Sequence, residues 1–193
     1  MLKRAFGRLI LKVMGWKITG GTPETPKYVL IAAPHTTNWD LVLMLAIAFV
    51  LGMQIRWMGK DALFNPPFGI VLKWLGGLSI DRSKTHNVVD AMASEFSKHE
   101  RLILAVPPEG TRSRGDYWKS GFYYIARQAQ VPVVMGFLDY KTRTGGFGPH
   151  LIPGDDLSAD MDQFRAFYDT VSGKFPDKQT PARLRAEDER EAG

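Results

Sequence analysis

The sequence has no cysteine, which excludes a thiol nucleophile and disulfide bonds and is compatible with a reducing cytoplasm. Histidine is also scarce, with four in 193 residues. Three of these, His86, His99 and His150, lack the convergent carboxylate or histidine spacing of a metal site. We therefore expect no bound metal and no cofactor, and His35 is left as the candidate for histidine chemistry.

The sequence also lacks a hydrophobic run long enough to cross a bilayer, which takes about 20 apolar residues. The apolar stretch at 41–53 predicts a buried core helix instead. Three catalytic motifs are absent: the Gly-x-Ser-x-Gly elbow, the His-Glu-x-x-His zinc pair and the P-loop. Serine hydrolases, zinc proteases and P-loop enzymes therefore lose their main support.

Acidic residues are missing from the first 17 positions, which hold Lys3, Arg4, Arg8, Lys12 and Lys17 and carry the whole net charge of +5. Large apolar residues share one face of a helical wheel through this segment, namely Leu2, Phe6, Leu9, Ile10 and Val13. A basic amphipathic helix of this kind binds anionic membrane surfaces. The alternative is a helix packed on its own domain with solvated lysines. Basic residues inside the segment argue against a secretory signal, so we expect a cytoplasmic protein, peripheral on the inner face of the cell membrane.

Strands and helices alternate along the rest of the chain. The predicted strands are 28–33, 54–58, 101–106, 133–137 and 147–152, and the predicted helices are 39–52, 66–75, 88–96, 120–130 and 161–171. This order predicts an α/β fold in a single domain, with a mainly parallel or mixed sheet and helices on both faces. We divide the chain into an amphipathic helix at 1–17, a main domain at 18–175 and a frayed tail at 176–193.

The first chemical motif is His35-x4-Asp40, which offers a base and a carboxylate to orient it. Residues five apart on a regular helix lie about 140° apart around its axis. The pairing therefore requires His35 in the turn before a helix and Asp40 in the first turn. The alternative is a capping or surface histidine.

The second motif, Glu109-Gly110-Thr111-Arg112, follows a strand that ends in two prolines. Binding loops occupy this position in α/β proteins. Glycine lets the backbone approach a ligand closely, and arginine grips a phosphate through two parallel hydrogen bonds. The alternative is a polar loop with a surface ion pair between Glu109 and Arg112.

Two further blocks accompany these motifs: Gly-Gly-Leu-Ser-Ile-Asp-Arg at 76–82 lies between them, and Val-Pro followed by a hydrophobic strand begins at 131. In this order the four blocks resemble the glycerolipid acyltransferase family, the 1-acylglycerol-3-phosphate acyltransferases. The resemblance runs from about Tyr28 to Phe137. Pro34 and Pro107 stand where many members have Asn and Phe.

The resemblance implies that 18–175 is an acyltransferase domain in which His35 deprotonates an acceptor hydroxyl and Asp40 holds His35. It assigns placement of the acceptor's phosphate to Arg82, Glu109, Gly110, Thr111 and Arg112. The implied donor is a thioester, acyl-CoA or acyl carrier protein, and the acceptor resembles lysophosphatidate. The expected partners are an anionic membrane surface, the donor carrier and a lysophospholipid, with no nucleic acid.

Three other functions stay open at this point. Acyl transfer to a different lyso-lipid would use the same motifs. An ester or thioester hydrolase would use the same histidine to activate water. A non-catalytic lipid-binding protein would keep the basic helix and the anion loop without needing the pair His35 and Asp40.

Overall fold

The computed structural model describes residues 1–80 and 85–191. Its strands are β1 (Lys17–Thr19), β2 (Lys27–Ala33), β3 (Ile55–Lys60), β4 (Gly77–Ile80), β5 (Leu102–Val106), β6 (Val133–Asp139) and β7 (Thr144–Leu151). Its helices are α1 (Leu2–Met14), α2 (Trp39–Leu51), α3 (Phe68–Trp74), α4 (Thr85–Lys98), α5 (Gly121–Ala129), α6 (Leu157–Tyr168) and α7 (Arg185–Glu191). A 3-10 turn, Asp61–Phe64, precedes α3.

The strands form one sheet in the order β1-β7-β6-β2-β5-β3-β4. Neighbouring strands are parallel except β6 and β7, which are antiparallel. The predicted α/β fold with a mixed sheet is therefore confirmed. Of the described strands, β1 and β4 are not among the five strands predicted from periodicity, because three or four residues are too few to show one.

Side chains of β2 alternate between the two faces of the sheet and show how the core is divided. Val29 and Ile31 belong to an apolar cluster with α4, α5 and α6. Tyr28 and Leu30 belong to a second cluster with α2, β3 and α3. Because successive residues of a strand point to opposite faces, helices cover both faces, as the strand–helix alternation predicts.

Helix α1 is part of the folded domain, since it packs along α2. Gly7 is buried at the crossing, where a Cβ atom would lie 2.6 Å from the carbonyl oxygen of Ala46. Leu11 is buried one turn later. The absence of a side chain at Gly7 therefore allows the two helix backbones to approach closely.

The tail beyond Pro176 is folded as far as residue 191, so the prediction of a frayed tail is wrong for this part of the chain. Leu184 is 1% exposed. Arg165 of α6 pairs with the buried Glu187 at 2.7 Å, and Tyr117 donates a hydrogen bond to Asp188 at 2.6 Å. Glu187 and Asp188 thus contact residues that are distant in the chain, and distant partners leave no local signal in the sequence.

None of the helices within residues 1–80 and 85–191 combines the length and the apolar content needed to cross a membrane.

Candidate active site

The two motifs meet because their strands are neighbours. In the parallel pair of β2 and β5, Ile31 lies opposite Val106, so the loops that follow both strands leave the same edge of the sheet. In the sheet, β2 lies between β5 and β6. The chain runs from β2 to β3 on the β5 side, but from β5 it returns to β6 on the opposite side of β2, so the strand order reverses at β2. A crevice at such a reversal of strand order is where open α/β sheets bind ligands.

His35 lies in the turn before α2, and Asp40 lies in the first turn of that helix. Nδ1 of His35 is 3.1 Å from Oδ2 of Asp40. The same oxygen accepts the backbone N–H groups of Thr36 and Thr37 at 2.9 and 3.0 Å, which holds the carboxylate in one orientation. Because Asp40 occupies Nδ1 as a hydrogen-bond acceptor, the favoured neutral tautomer leaves Nε2 available as a base.

Tyr140, just after β6, completes the environment of Asp40. Its hydroxyl donates a 2.7 Å hydrogen bond to Oδ1, and Trp16 packs edge-on against its ring with centroids 4.9 Å apart. Burial and the hydrogen bond to Asp40 raise the pKa of Tyr140, which keeps it a neutral donor. Sequence reasoning missed this residue because 100 positions separate it from Asp40 and no motif surrounds it.

The Glu109 carboxylate touches the backbone of His35. Its Oε2 accepts the His35 N–H at 2.6 Å, and Oε1 has no hydrogen-bond partner among the described residues. The residue is 3% exposed. Burial is the main reason that the pKa of Glu109 is raised to about 8, while the hydrogen bond from the His35 N–H acts in the lowering direction and the charge of Asp40 in the raising direction. Glu109 therefore fastens its loop to the His35 turn.

The rest of this loop is open to solvent. Gly110 has a φ of 68°, and a Cβ atom there would lie 3.1 Å from Cγ of Lys119. The backbone N–H of Lys119 donates to the carbonyl of Pro108 at 2.7 Å, which ties the loop to the start of α5. Thr111 and Arg112 are exposed. Glu109 and Arg112 form no ion pair within the described residues, so the structure does not have the surface pair of the alternative interpretation.

A cavity of about 690 Å³ extends from these motifs over α2 and β3. Its polar lining comes from the two motifs: His35, Asn38, Asp40, Thr111 and Arg112. Its apolar lining includes Leu41, Met44, Ala48, Met53, Ile55, Trp57, Leu72 and Phe147. The volume lies within the usual range for pockets that enclose small organic ligands. A mostly apolar cavity with one polar end fits a long hydrocarbon chain that carries a reactive head.

The family model "Acyltransferase" matches residues 19–135, a stretch that includes both motifs, β2 to β5 and most of the cavity lining. The chain belongs to the acyltransferase family. The resemblance inferred from the four blocks is thereby confirmed.

Curated relatives of this family member include two bacterial 1-acyl-sn-glycerol-3-phosphate acyltransferases. The protein of Haemophilus influenzae is 29% identical over 144 residues, which are 69% of this chain and 58% of the relative. The protein of Salmonella typhimurium is 34% identical over 139 residues, which are 67% of this chain and 55% of the relative. The chain thus spans a little over half the length of these two relatives.

A solved structure has the same fold. The 1-acyl-sn-glycerophosphate acyltransferase of Thermotoga maritima superposes with a TM-score of 0.58 over 99% of this chain and 79% of that one, at 15% sequence identity. At this identity the likeness shows the fold alone.

The structure gathers most of the predicted site residues around one cavity. The residues that line it are His35, Asp40, Gly110, Thr111 and Arg112. Glu109 differs, because it lines a separate cavity of about 240 Å³ with Trp118 and Tyr168. Direct contact between its carboxylate and a phosphate does not fit this position. Arg82 lies outside the described residues. Within them, no group of three or more histidine, aspartate or glutamate side chains is arranged to hold a metal ion.

Proposed function

We propose that this family member transfers a fatty acyl group from a thioester donor, acyl-CoA or acyl carrier protein, to the hydroxyl of a lysophosphatidate-like acceptor in phospholipid synthesis. One observation carries the proposal. His35, which Asp40 orients, lines a large and mostly apolar cavity that Thr111 and Arg112 also line. The names of the bacterial relatives support the choice of acceptor.

The geometry supports direct transfer without an acyl-enzyme. Nε2 of His35 takes the proton of the acceptor hydroxyl as its oxygen attacks the thioester carbonyl. The carbon–sulfur bond then breaks, and the imidazolium returns its proton to the leaving thiolate. Asp40 stabilises the imidazolium in between, because its carboxylate is already held by two backbone N–H groups and by Tyr140.

The acceptor's phosphate is assigned to the loop 110–112, with Arg82 as an additional ligand carried over from the family motif. Arg112 is exposed, borders the cavity and has no ion-pair partner among the described residues. A guanidinium in this state is available for two parallel hydrogen bonds to a phosphate. The acyl chain then lies along α2 and β3.

The outer face of helix α1 is suited to attach the protein to a membrane. Four large apolar side chains on it are exposed: Leu2, Phe6, Leu9 and Val13. Leu11 is instead buried in an apolar cluster with Leu43 and Ala46 of α2. The helix therefore packs on the domain and still offers an apolar, basic face to anionic lipid. Salt should weaken this attachment, because it screens surface charges.

The experiment that tests the function is lipid mass spectrometry after the pure protein has been incubated with lysophosphatidate and either acyl-CoA or acyl carrier protein loaded with a fatty acid. A new diacyl product is expected. Free fatty acid released regardless of acceptor would instead identify a hydrolase. Substrate binding without any product would identify a lipid-binding protein.

The Arg112→Lys variant tests the phosphate assignment. Lysine keeps the charge and loses the planar fork, so KM for the acceptor should rise about tenfold while KM for the donor changes little. Arg101→Lys is the matched control, because Arg101 is exposed just before β5 and does not line the cavity. An equal change for both substrates would contradict the assignment.

A further inference from the structure

The segment between β3 and β4 exposes five of its large apolar side chains. Leu63 is 53% exposed, and in α3 the exposed fractions are 75% for Phe68, 70% for Ile70 and 64% for Trp74. Helices at the surface of a soluble domain usually point such residues inward. A contiguous group of exposed apolar side chains marks a surface that binds something.

The inward side of α3 explains why this orientation is built into the fold. Gly69 is buried, and a Cβ atom there would lie 1.8 Å from the carbonyl oxygen of Phe64. Phe64 is itself buried against Trp57, with ring centroids 5.9 Å apart. A glycine at the contact lets the helix lie close to the domain. Phe68 and Ile70, on either side of Gly69, are exposed.

The outer side of α3 is continuous with the exposed face of α1. The ammonium group of Lys3 lies 4.3 Å from the ring centroid of Trp74 and 5.5 Å from that of Phe49. The start of α1 and the end of α3 are therefore adjacent. Their joint surface, the α1–α3 surface, consists of the exposed apolar residues Leu2, Phe6, Leu9, Val13, Phe68, Ile70, Val71 and Trp74.

The charges on α1 and α3 have one sign, whereas the exposed acid of the turn before α3, Asp61, accepts a hydrogen bond from Ser79. Neither α1 nor α3 contains an acidic residue, whereas Lys3, Arg4, Arg8 and Lys12 lie on α1 and Lys73 lies on α3. All five side chains are exposed. Helices whose exposed residues are bulky apolar, aromatic and basic are typical of the interface of an anionic bilayer.

The same segment forms part of the wall of the active-site cavity. Leu63 and Leu72 line it together with His35. A lipid that reaches the α1–α3 surface is therefore next to the space that contains the reactive histidine.

We propose that α3, together with Leu63 of the turn before it, inserts into the interface of an anionic bilayer beside α1, so that the cavity wall is in contact with lipid. The proposal extends the proposed function, since it says how a lipid substrate reaches His35. A second copy of the chain or a protein partner covering this surface is the competing outcome of the test.

The absence of cysteine permits a direct measurement of insertion. Ile70→Cys, labelled with an environment-sensitive fluorophore, should shift to the blue on addition of vesicles with equal parts of phosphatidylcholine and phosphatidylglycerol, and brominated lipid should quench it. Ile152→Cys is the matched control at 68% exposure outside the surface, and its label should stay in water. A label at position 70 that stays in water while the protein is vesicle-bound would overturn the proposal. A blue shift that needs only a higher protein concentration would identify a second copy.

A second pair of variants measures the contribution of α3 to binding. Ile70→Gln should weaken binding to the same vesicles by about tenfold, because one fully apolar side chain leaves the interface. Ile152→Gln should leave it unchanged, and both variants should keep wild-type turnover of water-soluble short-chain substrates. Equal binding by both variants would overturn the proposal. Insertion without acyl transfer would contradict the proposed function alone, and transfer without insertion at position 70 would contradict this inference alone.

Discussion

The two faces of the sheet are built differently. The face under α4, α5 and α6 is filled by edge-to-face aromatic pairs, such as Phe122 with Phe164 at 5.6 Å and Trp118 with Tyr168 at 5.3 Å. The face under α1, α2 and α3 contains most of the large cavity, and α1 and α3 on this side expose large apolar residues to solvent. Tight packing on one face holds the strand ends in place. The other face contains the cavity and the exposed apolar residues of α1 and α3.

The largest expected effect concerns chemistry on the open face. His35→Ala should lower turnover about 100- to 10,000-fold, because the general base is lost, and should leave the thermal midpoint nearly unchanged, since the residue lies in a turn. Steady-state kinetics measure the turnover, and thermal melting measures the midpoint. His99→Ala is the matched control, as His99 is exposed just after α4. If folded His35→Ala kept near wild-type turnover, His35 would not be the general base and the proposed mechanism would be wrong.

The closed face is tested by Phe164→Ala. Phe164 is fully buried, so its removal should lower the free energy of unfolding by about 3–5 kcal/mol. Met44→Ala removes a side chain that lines the cavity on the open face and should lower it by less than about 2 kcal/mol. Urea unfolding of both variants measures the contrast. Equal losses would mean that the two faces are equally packed.

Glu109 joins the two faces, because it contacts the His35 turn and lies beside Trp118 and Tyr168 of the closed face. Its pKa is raised to about 8 from an ordinary value of 4.5, so the folded state holds a proton that the unfolded chain releases. Wild-type stability should therefore fall as pH rises between these two values. Glu109→Gln stays neutral and should become the more stable protein at the upper end, by on the order of 2 kcal/mol.

Urea unfolding at several pH values measures this difference between wild type and Glu109→Gln. Glu24→Gln, at an exposed position, controls for the loss of one charge. A difference that grows as the pH falls would have the wrong sign and would refute the assignment.

The smallest expected effect is that of Tyr140→Phe, which keeps the ring against Trp16 and removes the hydrogen bond to Asp40. Loss of one such bond of about 1 kcal/mol should lower kcat about fivefold. Tyr124→Phe, a partly exposed tyrosine outside the cavity, should have no effect. Initial rates at saturating substrate distinguish the two variants. An unchanged kcat for Tyr140→Phe would mean that the two backbone N–H groups alone orient Asp40.

Local patterns determined the elements of this protein and the composition of its site. The period of the apolar residues predicted the long helices and the central strands, and the spacing of His35 and Asp40 required the turn before α2 that the structure contains. These features depend on neighbours within a few positions, where backbone geometry relates sequence spacing directly to distance.

Tertiary structure decided which distant residues meet. It brings Tyr140 to Asp40, turns Glu109 towards the His35 backbone and folds the tail through Glu187 onto α6. Such contacts depend on strand order and on close packing between elements far apart in the chain, for which the sequence has no local period.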